Sequence, residues 1–102
     1  MIDKDTILSN WDLSTVPSPC YVLHETLLAD NLRVIDKVRK ATGAEIIVAL
    51  KANAKWGTFP ELSRHSDGAT ASSLAEARLV FEEYSPPAYT YAPVYTEGEI
   101  GE

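Results

Sequence analysis

Two rhythms of apolar and polar residues take turns along the chain. The run Glu45-Ile46-Ile47-Val48-Ala49-Leu50-Lys51-Ala52 is apolar on both faces, the pattern of a parallel strand covered by helices. Ahead of it, Glu25 to Ala41 predicts a helix. Leu28, Leu32, Ile35 and Val38 fall at helical spacing on one face, with Asp30, Arg33, Asp36 and Lys37 elsewhere, and Gly43 is a natural stop. After it, Thr58 and Pro60 mark a short helix that ends near His65. Gly68 to Ser72 reads as a second strand of small residues. Ser73-Leu74-Ala75-Glu76 has the spacing of a capping box. The helix it opens places Leu74, Ala77, Phe81 and Tyr84 on one face, and Ser85-Pro86-Pro87 stops it. Ala88 to Tyr95 is a third strand with Pro93 near its exit. Thr96 to Glu102 is a loop or the lead-in to another helix. At the other end, residues 1 to 16 form a lead-in helix or arm carrying Trp11 and Leu13. Val16-Pro17-Ser18-Pro19 cannot be helix interior, and Cys20 to Leu23 follows as a short strand.

Strand and helix alternating with short links imply an α/β fold with a parallel sheet. Three parallel strands do not close a barrel, and a barrel of alternating strands and helices takes about 250 residues. The expectation is the amino-terminal portion of a larger (β/α)8 barrel, truncated at about three strands.

Composition narrows the function. The 102 residues are 45% hydrophobic and 24% charged, with net charge −6, an ordinary globular balance. Nucleic acid wants a basic stripe, so the acidic balance argues against it as a partner. No apolar run is long enough to span a bilayer. Cys20 is the only cysteine, which leaves no internal disulfide and suits a reducing cytoplasm. It reads as a small apolar filler in a strand, or as a reactive thiol.

Lys51 changes the picture most. An ammonium at the end of a strand that is apolar on both faces is costly unless it is paired or chemically used. Lysine also forms Schiff bases when its amine is freed, and catalytic groups collect at the carboxyl ends of barrel strands. Many strand-end lysines, however, only reach solvent on a buried stem. Lys51-Ala52-Asn53, Thr70-Ala71-Ser72-Ser73 and Tyr91-Ala92-Pro93 close the three strands. If those strands are parallel neighbours, all three segments face one crevice, and a lysine among small residues suits a planar aldehyde cofactor. Asn53 could contact that cofactor or merely turn the chain. Ser72 and Ser73 could be only a helix cap, and Glu76 only half of a capping box. His24 and His65 lack metal-ligand spacing and read as surface or helix-end residues. Tyr91 and Tyr95 read as core or rim aromatics.

These segments also carry a resemblance. Pro17-Ser18-Pro19-Cys20-Tyr21-Val22-Leu23, then Leu28 with Asn31-Leu32, then Val48-Ala49-Leu50-Lys51-Ala52-Asn53, resemble the opening of the alanine racemase and ornithine decarboxylase class of pyridoxal phosphate enzymes, the fold type III group. Trp56, Phe59-Pro60 and the run Asp67 to Leu79, with Tyr89 to Tyr95, look like the carboxynorspermidine (carboxyspermidine) decarboxylases within that class. The resemblance implies that Lys51 carries pyridoxal 5'-phosphate, with Asn53, Ser72 and Glu76 near it. It implies decarboxylation of a carboxylated polyamine in norspermidine or spermidine biosynthesis. It also implies that residues 1–24 form an arm and strand associated with a carboxy-terminal β domain, that 25–102 open the barrel, and that the complete enzyme is a homodimer. Phosphate-binding and substrate-selecting groups would then lie beyond Glu102. Ornithine and diaminopimelate decarboxylases carry an aspartate where this chain has Thr70 and a lysine near Tyr95, which points away from them. Asp67 is out of register for that aspartate. The alternatives are another member of the class (a diaminopimelate decarboxylase or amino-acid racemase), a non-catalytic pyridoxal phosphate carrier, and an interaction fragment in which Lys51 pairs with a carboxylate.

Overall fold

The computed structural model describes residues 3–85 and 87–102. Three strands, β1 (Ile47–Ala49), β2 (Gly68–Ala71) and β3 (Ala88–Thr90), make one sheet in the order β1-β2-β3. Both pairings are parallel, with Val48 opposite Ala69 and Ala69 opposite Ala88. Five α-helices accompany them: α1 (Lys4–Ser9), α2 (Glu25–Thr42), α3 (Phe59–Arg64), α4 (Leu74–Leu79) and α5 (Glu97–Gly101). The α/β expectation with parallel strands therefore holds.

The helix ends follow local chemistry. Gly43 closes α2 in the left-handed conformation, with φ of 71°, where a glycine has no Cβ to strain. Its first turn is capped by His24, whose Nδ1 accepts from the Leu27 N–H at 3.3 Å. The same ring stacks on Trp11 at 4.8 Å. His24 is thus a helix-end residue, and the arm packs on the start of α2. Thr96 and Glu99 make a reciprocal capping box on α5, so the acidic tail is a helix start.

Several boundaries differ from expectation. The first strand is shorter than 45–52 because Ala52 and Asn53 both donate their N–H to the Ala49 carbonyl, at 3.0 and 3.3 Å. That turn ends the ladder at Ala49. The third strand likewise stops at Thr90, although Tyr91 still donates to the Ala71 carbonyl at 2.9 Å. Residues 20–23 pair with no strand among the described residues, and Cys20 is exposed. It fills no apolar space, because no second layer covers it. After Leu79 the helix widens into a π turn, Val80–Tyr84, with the Ser85 N–H donating to the Val80 carbonyl. Val80 and Tyr84 are buried, while Phe81 is 87% exposed. The buried face runs through Ala77, Val80 and Tyr84, itself at helical spacing, so the expected face was turned by one residue at Phe81. Pro86, part of the expected stop, lies outside the described residues, as do Met1 and Ile2 of the arm.

The helices cover one face of the sheet. Leu32, Leu50, Phe59, Leu62, Ala69, Ala71, Val80 and Tyr84 make the core. Phe59 and Tyr84 meet edge to face at 5.1 Å. Ser66 Oγ donates to the Leu62 carbonyl and so has no second hydrogen to give. Tyr84 Oη therefore donates to it, at 2.6 Å. Burial pushes the Tyr84 phenol pKa up, which keeps that donor protonated. Strand alternation sends Ile47, Ala49, Thr70 and Tyr89 to the opposite face, where Ile47 and Tyr89 stay about two-fifths exposed. The radius of gyration is 16.5 Å, with extents of 52 × 40 × 21 Å. A compact body of this length has a radius of about 13 Å, so these residues form a two-layer slab with one uncovered sheet face.

An ion-pair network ties the amino ends of the strands to α2. Arg39 Nε donates to Asp67 Oδ2 at 2.9 Å and Arg39 Nη1 to Asp36 at 3.0 Å. Asp67 also accepts the Ile46 N–H at 2.8 Å, and Asp36 meets His65 Nδ1 at 2.8 Å. The hydrogen bond from Arg39 holds the Asp67 carboxyl below its usual range, and the one from His65 does the same for Asp36.

Two predictions follow from this packing. Phe59→Ala empties a fully buried site and should cost about 3–5 kcal/mol. Gly68→Ala would set its Cβ 2.6 Å from the Pro87 carbonyl oxygen and 2.8 Å from the Tyr89 ring, and should cost about 1–3 kcal/mol. Urea unfolding of the two variants checks both values. For the network, depressed carboxyl pKa values mean a contribution that is complete above the ordinary value of 3.8 and is lost as pH falls through the lowered ones. Asp67→Asn should therefore destabilise most at neutral pH, and the gap to wild type should narrow below pH 4 (about;). Melting temperatures across that range test the sign.

Candidate active site

Parallel pairing brings the three strand exits to one end of the sheet, and Lys51 stands there. It lies one residue past the buried Leu50, in the turn that ends β1, and is itself exposed. Among the described residues no carboxylate pairs with it. Arg33, Arg39, Lys40, Arg64 and Arg78 all have acidic partners. Lys55, the next lysine, holds its Nζ 5.3 Å from the centre of the Tyr21 ring. The interaction-fragment expectation required a partner carboxylate for Lys51, and none is present among these residues.

Small side chains stand at the neighbouring strand ends. The register that pairs Ala49 with Thr70 and Ala71 with Thr90, carried on past the strand ends, sets Lys51, Ser72 and Tyr91 in one row. Ala49 and Thr70 stand two rows below, on the face without helices. Ala49, Thr70 and Ser72 are small side chains at this end of the sheet.

The other nominated residues are engaged locally. Glu76 Oε2 accepts the Ser72 N–H at 2.6 Å, and Ser73 Oγ accepts the Glu76 N–H at 3.2 Å. The capping box is thus displaced by one residue, since the carboxylate takes Ser72 instead of Ser73. It fixes the backbone at the β2 exit, and among the described residues the second carboxylate oxygen has no hydrogen-bond partner. Asn53 Oδ1 accepts the Lys55 N–H at 3.2 Å, and its Nδ2 donates to Thr58 Oγ1 at 3.1 Å. Sequence patterning marks Thr58 as a helix start, yet its side chain does not cap α3. Its Oγ1 donates to the Lys55 carbonyl at 2.8 Å. The pairing of Asn53 with Thr58 has no signature in a periodicity reading, because both residue types are ordinary in turns.

Asp67 stands at the amino end of β2, bound to Arg39 and the Ile46 amide, and so at the opposite end of the strands from Lys51. Tyr91 is exposed and Tyr95 half-buried, with the Tyr95 hydroxyl enclosed and unpartnered among the described residues. No group of three or more potential metal ligands occurs among them, and no helix is long and apolar enough to cross a membrane.

The donor set suits the carbonyl end of an aldehyde cofactor. It offers an exposed primary amine without an ion-pair partner among the described residues, and polar groups near the strand ends.

No family model matches the chain. It is 43% identical over 94 residues to the carboxyaminopropylagmatine decarboxylase of Synechocystis sp., a match covering 92% of this chain and 24% of that protein. Two carboxynorspermidine/carboxyspermidine decarboxylases match over 87 residues. That of Herminiimonas arsenicoxydans is 34% identical, covering 85% of this chain and 24% of its own length. That of Campylobacter jejuni is 33% identical, covering 85% and 23%. A crystal structure of the Campylobacter jejuni carboxynorspermidine decarboxylase complexed with norspermidine superposes with a TM-score of 0.80 at 32% identity, over 84% of this chain and 23% of that one. The chain spans about a quarter of the length of the curated relatives it matches. In sequence and backbone it is similar to one segment of these polyamine-related decarboxylases.

Proposed function

We propose that these residues form the lysine-bearing part of a pyridoxal phosphate-dependent decarboxylase that acts on a carboxylated polyamine. The observation that carries the reading is Lys51, unpaired among the described residues, at the carboxyl end of a parallel strand. Such strand ends are where barrel enzymes collect their reacting groups, and an amine without a carboxylate partner is available for a carbonyl carbon. When bound, pyridoxal phosphate supplies an electron sink for the pair left by departing carbon dioxide. Lys51 would hold its carbonyl carbon, with Asn53, Ser72 and Glu76 along the rim. The small side chains at Ala49 and Thr70 leave room for a flat ring.

The rest of the reading concerns the whole protein. The slab is the opening of a fold type III (β/α)8 barrel, and its uncovered sheet face becomes the barrel interior. The segment 20–23, with Tyr21 and Val22 exposed and no strand beside it, pairs with a carboxy-terminal β domain, and 25–102 belong to the barrel. The enzyme is a cytoplasmic homodimer. A net charge of −6 favours polycationic ligands by focusing positive charge toward the surface.

Two substrate readings have support. The two matches at 33–34% identity favour carboxynorspermidine or carboxyspermidine. The 43% match favours the agmatine derivative, which ends in a guanidinium where the others end in an amine. All carry the same carboxylate-bearing end toward Lys51 and differ at the far end, which residues beyond this segment would read.

Reduction of the cofactor-loaded protein with borohydride, followed by peptide mapping, should place a pyridoxyl group on the peptide containing Lys51. Label on Lys55, or none, overturns the assignment. Specificity constants should favour one of the three carboxylated polyamines over ornithine, lysine and diaminopimelate by at least about 10²-fold, because a site built for several amines leaves polar groups unpaired with shorter analogues. Preference for diaminopimelate, or racemisation without carbon dioxide release, contradicts this reading.

A further inference from the structure

Between the buried Leu50 and the buried Phe59 the chain has no apolar anchor. Lys51, Ala52, Ala54, Lys55, Trp56 and Gly57 are all exposed. Lys51 sits in the turn that Ala52 and Asn53 close onto the Ala49 carbonyl, so whatever fixes Asn53 also fixes the direction in which Lys51 leaves the strand. The side-chain hydrogen bonds in this loop, among the described residues, are those of Asn53 and Thr58.

Their hydrogens account for one another. The Lys55 N–H needs an acceptor, which sets Asn53 Oδ1 toward it and Nδ2 toward Thr58. Thr58 has a single hydroxyl hydrogen, given to the Lys55 carbonyl, so its oxygen can only accept from Asn53. Each polar atom thus has one role, and the arrangement closes a ring across the loop.

We infer that Asn53 and Thr58 form a clasp that holds the Lys51 turn in register with the end of the sheet, making Thr58 a positioning residue and Asn53 one that acts through the loop and not by touching the ligand. This rests on Lys51 being the cofactor lysine. Holding a reacting amine in place is worth much of a rate, since about 1 Å of misplacement can cost 10²-fold. Asn53→Ala removes both amide bonds. Thr58→Val removes the hydroxyl that accepts from Asn53 and donates to the Lys55 carbonyl. Thr58→Ser keeps both of those bonds. Asn53→Asp keeps the acceptor for Lys55 but faces Thr58 Oγ1 with a second acceptor.

The test uses the intact protein and these variants, with Asn53→Ala/Thr58→Val as the double. Three readouts are compared with melting temperature: the fraction of Lys51 trapped by borohydride at fixed subsaturating pyridoxal phosphate, the pH at which the absorbance of the Lys51-bound cofactor changes, and the split between kcat and KM. The clasp predicts that Asn53→Ala, Asn53→Asp and Thr58→Val each lower trapping and reduce kcat by about 10- to 100-fold with KM within about threefold. The double variant should be no worse than either single one, and Thr58→Ser should stay close to wild type. If Asn53→Ala is damaging while Thr58→Val is silent, Asn53 touches the ligand directly and the inference is wrong. It is equally wrong if the two effects add, or if stability falls while trapping, pH response and kcat hold. Should Thr58→Val fail to fold, Asn53→Asp against Thr58→Ser makes the same comparison. Wild-type protein without label on Lys51 overturns the functional reading and this inference together.

Discussion

Parallel pairing of β2 with both neighbours dictates where every other group stands. Because Val48, Ala69 and Ala88 lie in one row, the three strands run the same way and leave the sheet at the same end. Two loop-to-helix connections then have to return along one face, which is the face that Leu32, Phe59, Leu62, Val80 and Tyr84 fill. The opposite face is left without helices. Gly68 shows how close the pairing is, since a single added carbon there would meet the Pro87 carbonyl oxygen and the Tyr89 ring.

The two ends of the sheet are built differently. At the amino end, Arg39, Asp36, Asp67 and His65 are hydrogen-bonded to one another and joined to the Ile46 amide. That arrangement suits a structural role, in keeping with the stabilising end of barrel folds. At the carboxyl end the side chains are small, the polar groups Asn53 and Glu76 are spent on backbone, and Lys51 has no ion-pair partner among the described residues. Lys51 is exposed there, so its ammonium bears no burial cost and its amine is open to approach, which is what the proposed cofactor role requires.

Much of this was legible before any coordinates. The long helix shows its period through Leu28, Leu32 and Ile35 and its end through Gly43, and α2 runs within a residue of that reading. The parallel sheet follows from alternation, and Lys51 from a charge in the wrong place. Strand lengths were not legible, because the turn onto the Ala49 carbonyl and the exit after Thr90 depend on backbone hydrogen bonds that leave no mark on composition. Phe81 was misplaced because Val80 and Phe81 both fit a helical period with Ala77 and Tyr84, and only packing chooses Val80. The pairing of Asn53 with Thr58 was beyond reach, because it depends on which way an amide faces.

A crystal structure of the intact protein grown with pyridoxal phosphate tests the central claim most directly. The account predicts continuous density from Lys51 Nζ to the cofactor at the carboxyl end of β1, with the Asn53 amide still turned toward Thr58. Cofactor density joined to a different lysine, or lying away from this end of the sheet, would contradict it.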